Sequence, residues 1–320
     1  MNLEEIKIRS INDILTCINL ASSLEIGGWP KPGNVHRTRN FNKTRYEHFL
    51  AGIAAIQPIF RRFCLRIVNK TDPKNNDYAF VELGKFFKRA VKKMMKWQYG
   101  GNILFGHILI LAPLSASACI CKKLKKFSLK DFRTILKNII RDSTVEDTIN
   151  LYEAIRICHP GGLGKVAKYD LNANESISEI QQDNINLKKI FEFSKHYDLI
   201  SSEYASGFNI ILNEGLPFFI DRFNNYNDIN IAIVDSFLKL LSDHPDTLII
   251  RKSGKDEALL VSQAAFKILQ NGGISTKKGL NLAIKLDNQL HKAKGKMNPG
   301  TSADLIAGII FSALIFGLKF

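Results

Sequence analysis

The chain has 320 residues, 45% of them in the hydrophobic class, enough to bury a large core and too apolar for a disordered polypeptide. Forty-five Lys and Arg against 30 Asp and Glu give a formal charge of +15, which points to anionic partners: nucleotides, nucleic acid or an acidic membrane surface. Five cysteines, an odd number without a C-x-x-C pair, argue against a disulfide framework or a thiolate zinc site and for reduced thiols packed as small hydrophobes.

Helical periodicity runs nearly throughout and no convincing alternating strand pattern occurs, so the expected fold is all-α. One multi-helix globular domain over 1–320, with buried central helices, is expected. Met1 to Lys7 carries two glutamates with no apolar core behind it, so no signal peptide is expected and the cytoplasm is the expected location.

The first chemically suggestive segment is Trp29 to Arg37. Pro30 and Pro32 restrict the path, Gly33 relaxes it, and Lys31, His36 and Arg37 crowd basic groups onto one loop. A rigid turn with solvated charges is the plain reading; anion binding, with His36 as a general acid, is the functional one. Glu82 to Trp97 reads as an amphipathic helix with Phe86, Phe87, Ala90, Val91, Met94 and Trp97 on the core side and a lysine-rich outer face. Gly100-Gly101 ends it, and Asn102 follows.

Ile103 to Cys121 is apolar but interrupted by His107 and Pro113, and reads as a core helix rather than a membrane span. His159 to Lys165 is glycine-rich, but it lacks the glycine spacing and the Ser or Thr of a phosphate loop and reads as a helix exit. The polar stretch from Asn172 to Asn186 suggests a surface excursion over about 170–186. Glu203 lies one helical turn before Gly207-Phe208: buried, it is a base or metal ligand; exposed, it is surface.

After Pro245, Asp246 opens a short segment whose end carries Arg251 and Lys252, fit for phosphate or for a helix C-terminus. Asp256 to Gln270 is another helix, closed by Asn271-Gly272-Gly273. Asn298-Pro299-Gly300-Thr301-Ser302-Ala303-Asp304 is the sharpest segment. Thr301 and Asp304 have capping-box spacing ahead of the apolar helix from Leu305, which alone explains them. The functional alternative has backbone amides after Gly300 holding phosphate and Asp304 its Mg²⁺.

Taken in order from about Leu24 to Phe316, these segments resemble the triphosphoribosyl-dephospho-CoA synthase family. Pro30-Lys31-Pro32-Gly33 is similar to its Pro-Lys-Pro-Gly, and Asn102 with Gly106 resembles the ends of its Asn-Thr-His-Lys-Gly. Glu203 with Gly207-Phe208 resembles Glu-Ala-x-x-Gly-Phe, Asp246-Thr247 with Arg251 resembles Asp-Thr-Asn-x-x-x-Arg-Gly-Gly, and Pro299-Gly300 with Ser302-Ala303-Asp304-Leu305 resembles Ser-Pro-Gly-Gly-Ser-Ala-Asp-Leu-Leu. Pro-Gly-Asn-Val-His-Arg and Asn-Pro-Gly-Thr resemble the archaeal branch.

The resemblance implies an all-α enzyme joining the ribose of ATP, through C1″, to the 2′-hydroxyl of 3′-dephospho-CoA with release of adenine. It implies Mg²⁺ with ATP, held by Asp246 and Asp304. Nucleotide contacts are expected from Lys31, Gly33, Arg37, Asn102, Arg251, Lys252, Asn298, Gly300 and Thr301, and acid or base roles from Glu203 and His36. The family's His-Lys is Leu104-Phe105 here, with His107 just past Gly106, and its Asp-Thr-Asn segment carries Leu248 and Ile250, which leaves the hydroxyl acceptor open.

Two rival classes are a non-catalytic nucleic-acid- or membrane-surface-binding protein, using the face from Lys85 to Lys96 and the cluster of Lys122, Lys123, Lys125 and Lys126, and a nucleotide enzyme of another reaction type. Under the leading reading no nucleic-acid partner and no membrane span are expected.

Overall fold

The computed structural model describes residues 5–159, 164, 166 and 168–320. Its helix starts follow the capping chemistry of the sequence. At the first, Ser10 Oγ accepts from the Asp13 amide at 3.1 Å while the Asp13 carboxylate accepts from the Ser10 amide at 2.8 Å. Ser128, Thr144, Asp198, Asp228, Asp246 and Thr276 open six further helices with side-chain caps.

In chain order the helices are α1 (Ile11–Gly27), α2 (Tyr46–Lys70), α3 (Leu83–Lys96), α4 (Phe105–Leu124), α5 (Leu129–Arg141), α6 (Val145–Cys158), α7 (Ser176–Gln182), α8 (Leu187–Ser194), α9 (Leu199–Ser206), α10 (Leu216–Tyr226), α11 (Ile229–Asp243), α12 (Thr247–Ser253), α13 (Lys255–Gln270), α14 (Lys277–His291) and α15 (Gly300–Ile315). A π-helical turn, Ile210–Gly215, leads into α10. Among the described residues no strand forms, and the only bridges are isolated pairs, Glu5 with Ser128 and His36 with Arg39.

Two apolar helices make the centre. Every residue of α4 from Gly106 to Cys121 is buried, and α15 is buried along nearly its whole length. α1, α2, α3, α5 and α15 pack around α4; α1, α10, α11, α12 and the π turn pack around α15. By length and composition α4 could cross a membrane, but here its apolar surface is covered by protein, which satisfies the same hydrophobic demand. Pro113 lies inside α4 without ending it.

Several local expectations differ from the structure. Trp97 is 61% exposed: α3 stops at Lys96, so the indole leaves the helix's apolar stripe, and Lys93 Nζ lies 5.6 Å from its ring centroid. The excursion after α6 contains α7, with Ser176 and Ile180 buried. The glycine-rich exit His159 to Lys165 lies largely outside the described residues. α15 begins at Gly300 with Pro299 at its cap, so Thr301 and Asp304 lie inside the helix and form no capping box. The five cysteines are buried and unpaired.

Candidate active site

A cleft of about 1450 Å³ opens between two groups of elements. One side is made by the loop after α1, the first turns of α4 and α15, and the ends of α12 and α14; the other by α6, α8, α9 and the chain between α6 and α7. Its size exceeds that of a pocket for one small ligand.

The floor is polar and sits at the buried core. Glu25, in the last turns of α1, is 1% exposed, and its carboxylate faces two groups, Lys31 and His107. The loop after α1 turns Lys31 back so that its ammonium, fully buried, donates to the Glu25 carbonyl at 2.7 Å and to Glu25 Oε1. His107 Nε2 lies 3.2 Å from Glu25 Oε2 and 3.6 Å from Asp304 Oδ1. With carboxylate oxygens on that side, Nε2 carries a hydrogen.

Burial pushes the Glu25 carboxyl up, but Lys31 and His107 pull it down further, so it stays below its ordinary value and ionised. Asp304 is less fully compensated. Burial, with Glu25 and Asp246 nearby, outweighs His107 and Lys31 and holds its pKa up at about 7, while 21% of its side chain remains open to the cleft. A carboxyl part-protonated at neutral pH, facing a cleft, suits proton transfer.

Cations line the walls: Arg39, Lys43, Lys168, Arg251, Lys252 and Lys294. Phe193 and Tyr197 expose 57% and 52% of their surface on the opposite side, beside Tyr152, Tyr169 and Phe191. Four buried polar atoms of the lining have no hydrogen-bond partner among the described residues: His107 Nδ1, Arg251 Nε, His291 Nε2 and Asn298 Oδ1. Buried polar groups are normally paired, so this concentration marks a place where a ligand completes the bonding.

Of the residues singled out from sequence, Asn102, Arg251, Lys252, Asn298, Gly300, Thr301 and Asp304 line the cleft. The others serve the frame. Glu203 is fully buried away from the lining; its oxygens accept from the amides of Ile210 at 2.8 Å and Ile211 at 2.9 Å, capping the π turn after Gly207 reverses the chain with φ of 76°. Burial first, against those two amides, holds its pKa up at about 7.

His36 is buried beside Asp287, with Nε2 3.4 Å from Oδ2 and Nδ1 taken by Thr38 Oγ1 at 3.1 Å; burial lowers its pKa. The Gly33 amide donates to Asp287 Oδ1 at 3.0 Å, and Arg37 is exposed outside the lining. Lys31 acts through Glu25 rather than on a ligand directly.

Asp246, expected as a metal ligand, has both carboxylate oxygens engaged by protein donors. Fully buried, it accepts from Leu248 N at 2.8 Å, Ile249 N at 3.1 Å, Ser302 N at 2.7 Å and Ser302 Oγ at 2.8 Å, so neither oxygen is free. These bonds also revise the phosphate role of the α15 amides. Ser302 N is held by Asp246, Gly300 N by the Asn298 carbonyl and Ala303 N by that of Pro299.

Among the described residues no three His, Cys, Asp or Glu side chains converge as metal ligands. At Asp304 burial favours the protonated carboxyl, while His107 and Lys31 act in the opposite sense.

Glu25, Arg39 and His291 escaped the sequence reading, and His107 was noted only as displaced. The signal for Glu25 and His107 was an ionisable side chain inside an otherwise apolar helical run: Leu24-Glu25-Ile26 and Gly106-His107-Ile108.

A family model described as CitG, ATP:dephospho-CoA triphosphoribosyl transferase, matches residues 11–319. The chain is 33% identical over 141 residues to the 2-(5″-triphosphoribosyl)-3′-dephosphocoenzyme-A synthase of Escherichia fergusonii, 43% of this chain and 45% of that protein. It is 30% identical over 105 residues to the synthase of the same name from Klebsiella pneumoniae, a match that spans only 34% of that relative's length. A crystal structure of an Archaeoglobus fulgidus protein assigned as a triphosphoribosyl-dephospho-CoA synthase is similar with a TM-score of 0.63 at 28% identity, over 84% of this chain and 100% of that one.

Proposed function

The chain belongs to the ATP:dephospho-CoA triphosphoribosyl transferase family, and from that premise we propose that it joins the C1″ of ATP's ribose to the 2′-hydroxyl of 3′-dephospho-CoA, releasing adenine. The observation that carries the reading is Asp304 on the floor of the cleft, its carboxyl at about 7. Departure of a base from a ribosyl carbon passes through an oxocarbenium-like state and needs a proton donor to the leaving nitrogen. Asp304 is that donor in our reading. Its proton passes to adenine as the C–N bond breaks and the hydroxyl oxygen closes on C1″.

Glu25 stays anionic under the same floor and, with His107 between the two carboxyls, favours the positive charge that develops on the sugar. The triphosphate lies along Arg39, Lys43, Arg251, Lys252 and Lys294, and a substrate base stacks on Phe193 or Tyr197. Mg²⁺ enters on the phosphates, where it neutralises their charge; neither Asp246 nor a preformed ligand cluster supports a dedicated cage. The reading places the protein in the cytoplasm, where ATP is available and the five free cysteines stay reduced.

The deciding experiment incubates the protein with MgATP and 3′-dephospho-CoA and chromatographs the products. Free adenine and a triphosphoribosylated acceptor support the reading. ADP or pyrophosphate without adenine would assign the cleft to phosphoryl or nucleotidyl transfer, and no turnover of any kind would end the enzyme reading.

A further inference from the structure

Resting on the transferase reading, we propose that His291 is the general base of the reaction, its Nε2 taking the proton of the acceptor hydroxyl. His291 ends α14 and lines the cleft, yet only 5% of its side chain is exposed. Its Nδ1 lies 2.9 Å from Asp287 Oδ1 and 3.1 Å from the Asp287 carbonyl. Both neighbours can only accept, so the hydrogen sits on Nδ1 and Nε2 keeps its lone pair. That Nε2 is buried and has no partner among the described residues.

The ring is held in place twice. Phe41 stacks on it with centroids 4.9 Å apart and planes 27° apart, and Asp287 anchors its far side. Asp287 is itself fixed by the Gly33 amide at 3.0 Å, Arg39 at 3.0 Å and His36 at 3.4 Å. Burial pushes the Asp287 carboxyl up, but the hydrogen bonds from His291, His36 and Gly33 hold it well below the usual carboxylate range. An ionised carboxylate behind an imidazole fixes the tautomer and stabilises the imidazolium that forms when the ring accepts a proton.

The step balances without a further reagent. The hydroxyl proton moves to His291 Nε2, the oxygen–C1″ bond forms, and the electron pair of the C1″–N bond leaves with adenine, which is protonated from Asp304. The imidazolium then returns its proton through solvent to the carboxylate left at Asp304. This arrangement also gives the Pro32-Gly33-Asn34 loop a role that sequence alone left open: its amide and His36 set the carboxylate that sets the base.

The test compares wild type, His291→Ala and His291→Gln by adenine release with MgATP and 3′-dephospho-CoA. A base role predicts that both substitutions lower kcat by roughly 10²- to 10⁴-fold with the KM for ATP little changed. It also predicts that added imidazole restores turnover to the alanine protein. Wild-type kcat in either variant, or full activity in the glutamine variant, which still offers a hydrogen bond but no base, overturns the proposal.

A second measurement does not depend on turnover. In ¹⁵N-labelled protein the His291 Nε2 resonance should fall in the unprotonated range and move when 3′-dephospho-CoA is added; a protonated or unresponsive Nε2 overturns the assignment. If wild type releases no adenine, the transferase reading itself fails and takes the base role with it. Active wild type with equally active variants removes His291 alone.

Discussion

A Cβ built on Gly106 lies 1.9 Å from Asp304 Oδ2, so the first turns of α4 and α15 approach closely enough that only glycine leaves room for the carboxyl. Both residues belong to motifs that the sequence marks, and the contact explains why they go together. Gly106→Ala should drive the Asp304 carboxyl off the cleft floor. Since a misplacement of about 1 Å in a catalytic group can cost about 100-fold, adenine release should fall by that order. Overpacking of about 1–3 kcal/mol should also lower the thermal midpoint, partly offset by alanine's better helix propensity. Turnover close to wild type in a folded Gly106→Ala protein would remove Asp304 from the chemistry.

The raised carboxyls give a pH dependence of known sign. Asp304 at about 7, against 3.8 unperturbed, binds its proton more tightly folded than unfolded. Glu203 at about 7, against 4.5, does the same. At these two groups the folded state therefore holds more protons between these limits, so their contribution to stability should fall as pH rises from about 4 to about 7, while His36, with its lowered pKa, works the other way up to about 6.5. Urea midpoints at several pH values check this, and Asp304→Asn and Glu203→Gln should each flatten the curve. Activity should separate the two: Asp304→Asn loses turnover, whereas Glu203→Gln, away from the cleft lining, keeps kcat. A Glu203→Gln protein that folds but does not turn over would restore Glu203 to the mechanism.

Asp246→Asn should behave as a framework substitution. The side chain caps α12 and reaches across to Ser302 at the head of α15, so the amide must turn an N–H towards a donor. An unsatisfied buried donor costs about 1–3 kcal/mol, which should appear in the thermal midpoint while the folded protein keeps its affinity for MgATP. Lost nucleotide binding at unchanged stability would reinstate the metal-ligand role expected from the sequence.

The all-α fold, the two buried apolar helices and the helix starts were legible because each rests on local chemistry: periodicity, caps and glycine stops. The motifs mark residues of the cleft together with residues that frame it. Glu203, Asp246 and Gly33 look like ligand residues in one dimension, yet their polar groups satisfy chain ends and loops that come together only in the folded molecule. The converse held for Glu25, His107 and His291. A single charge in an apolar run, or a histidine four residues after an aspartate on a helix, acquires meaning from partners on other elements: Lys31 and Asp304 for the first two, Phe41 for the third. Trp97 failed by one residue, because the helix ended before the stripe did.

Arg251 offers the cleanest probe of where the triphosphate lies. Its NH1 donates to Asp198 Oδ2 at 3.0 Å, tying α12 to the cap of α9, while its Nε is buried at the cleft wall without a partner among the described residues. The guanidinium is thus oriented by one anion and left with donor capacity for another. A hydrogen bond to a charged group contributes about 1.5–3 kcal/mol, so Arg251→Ala should raise the KM for ATP by roughly 10- to 100-fold with a smaller effect on kcat. Arg251→Lys should recover only part of the loss, because an ammonium cannot hold Asp198 and phosphate with one planar fork. Asp198→Asn supplies the control. It keeps an acceptor for the Ser201 amide, now 2.8 Å from Asp198 Oδ1, and removes the competing charge, so ATP should bind no more weakly than in wild type. If Asp198→Asn weakens ATP as much as Arg251→Ala does, the ion pair braces the cleft and the phosphates lie along Lys43 and Lys294 instead.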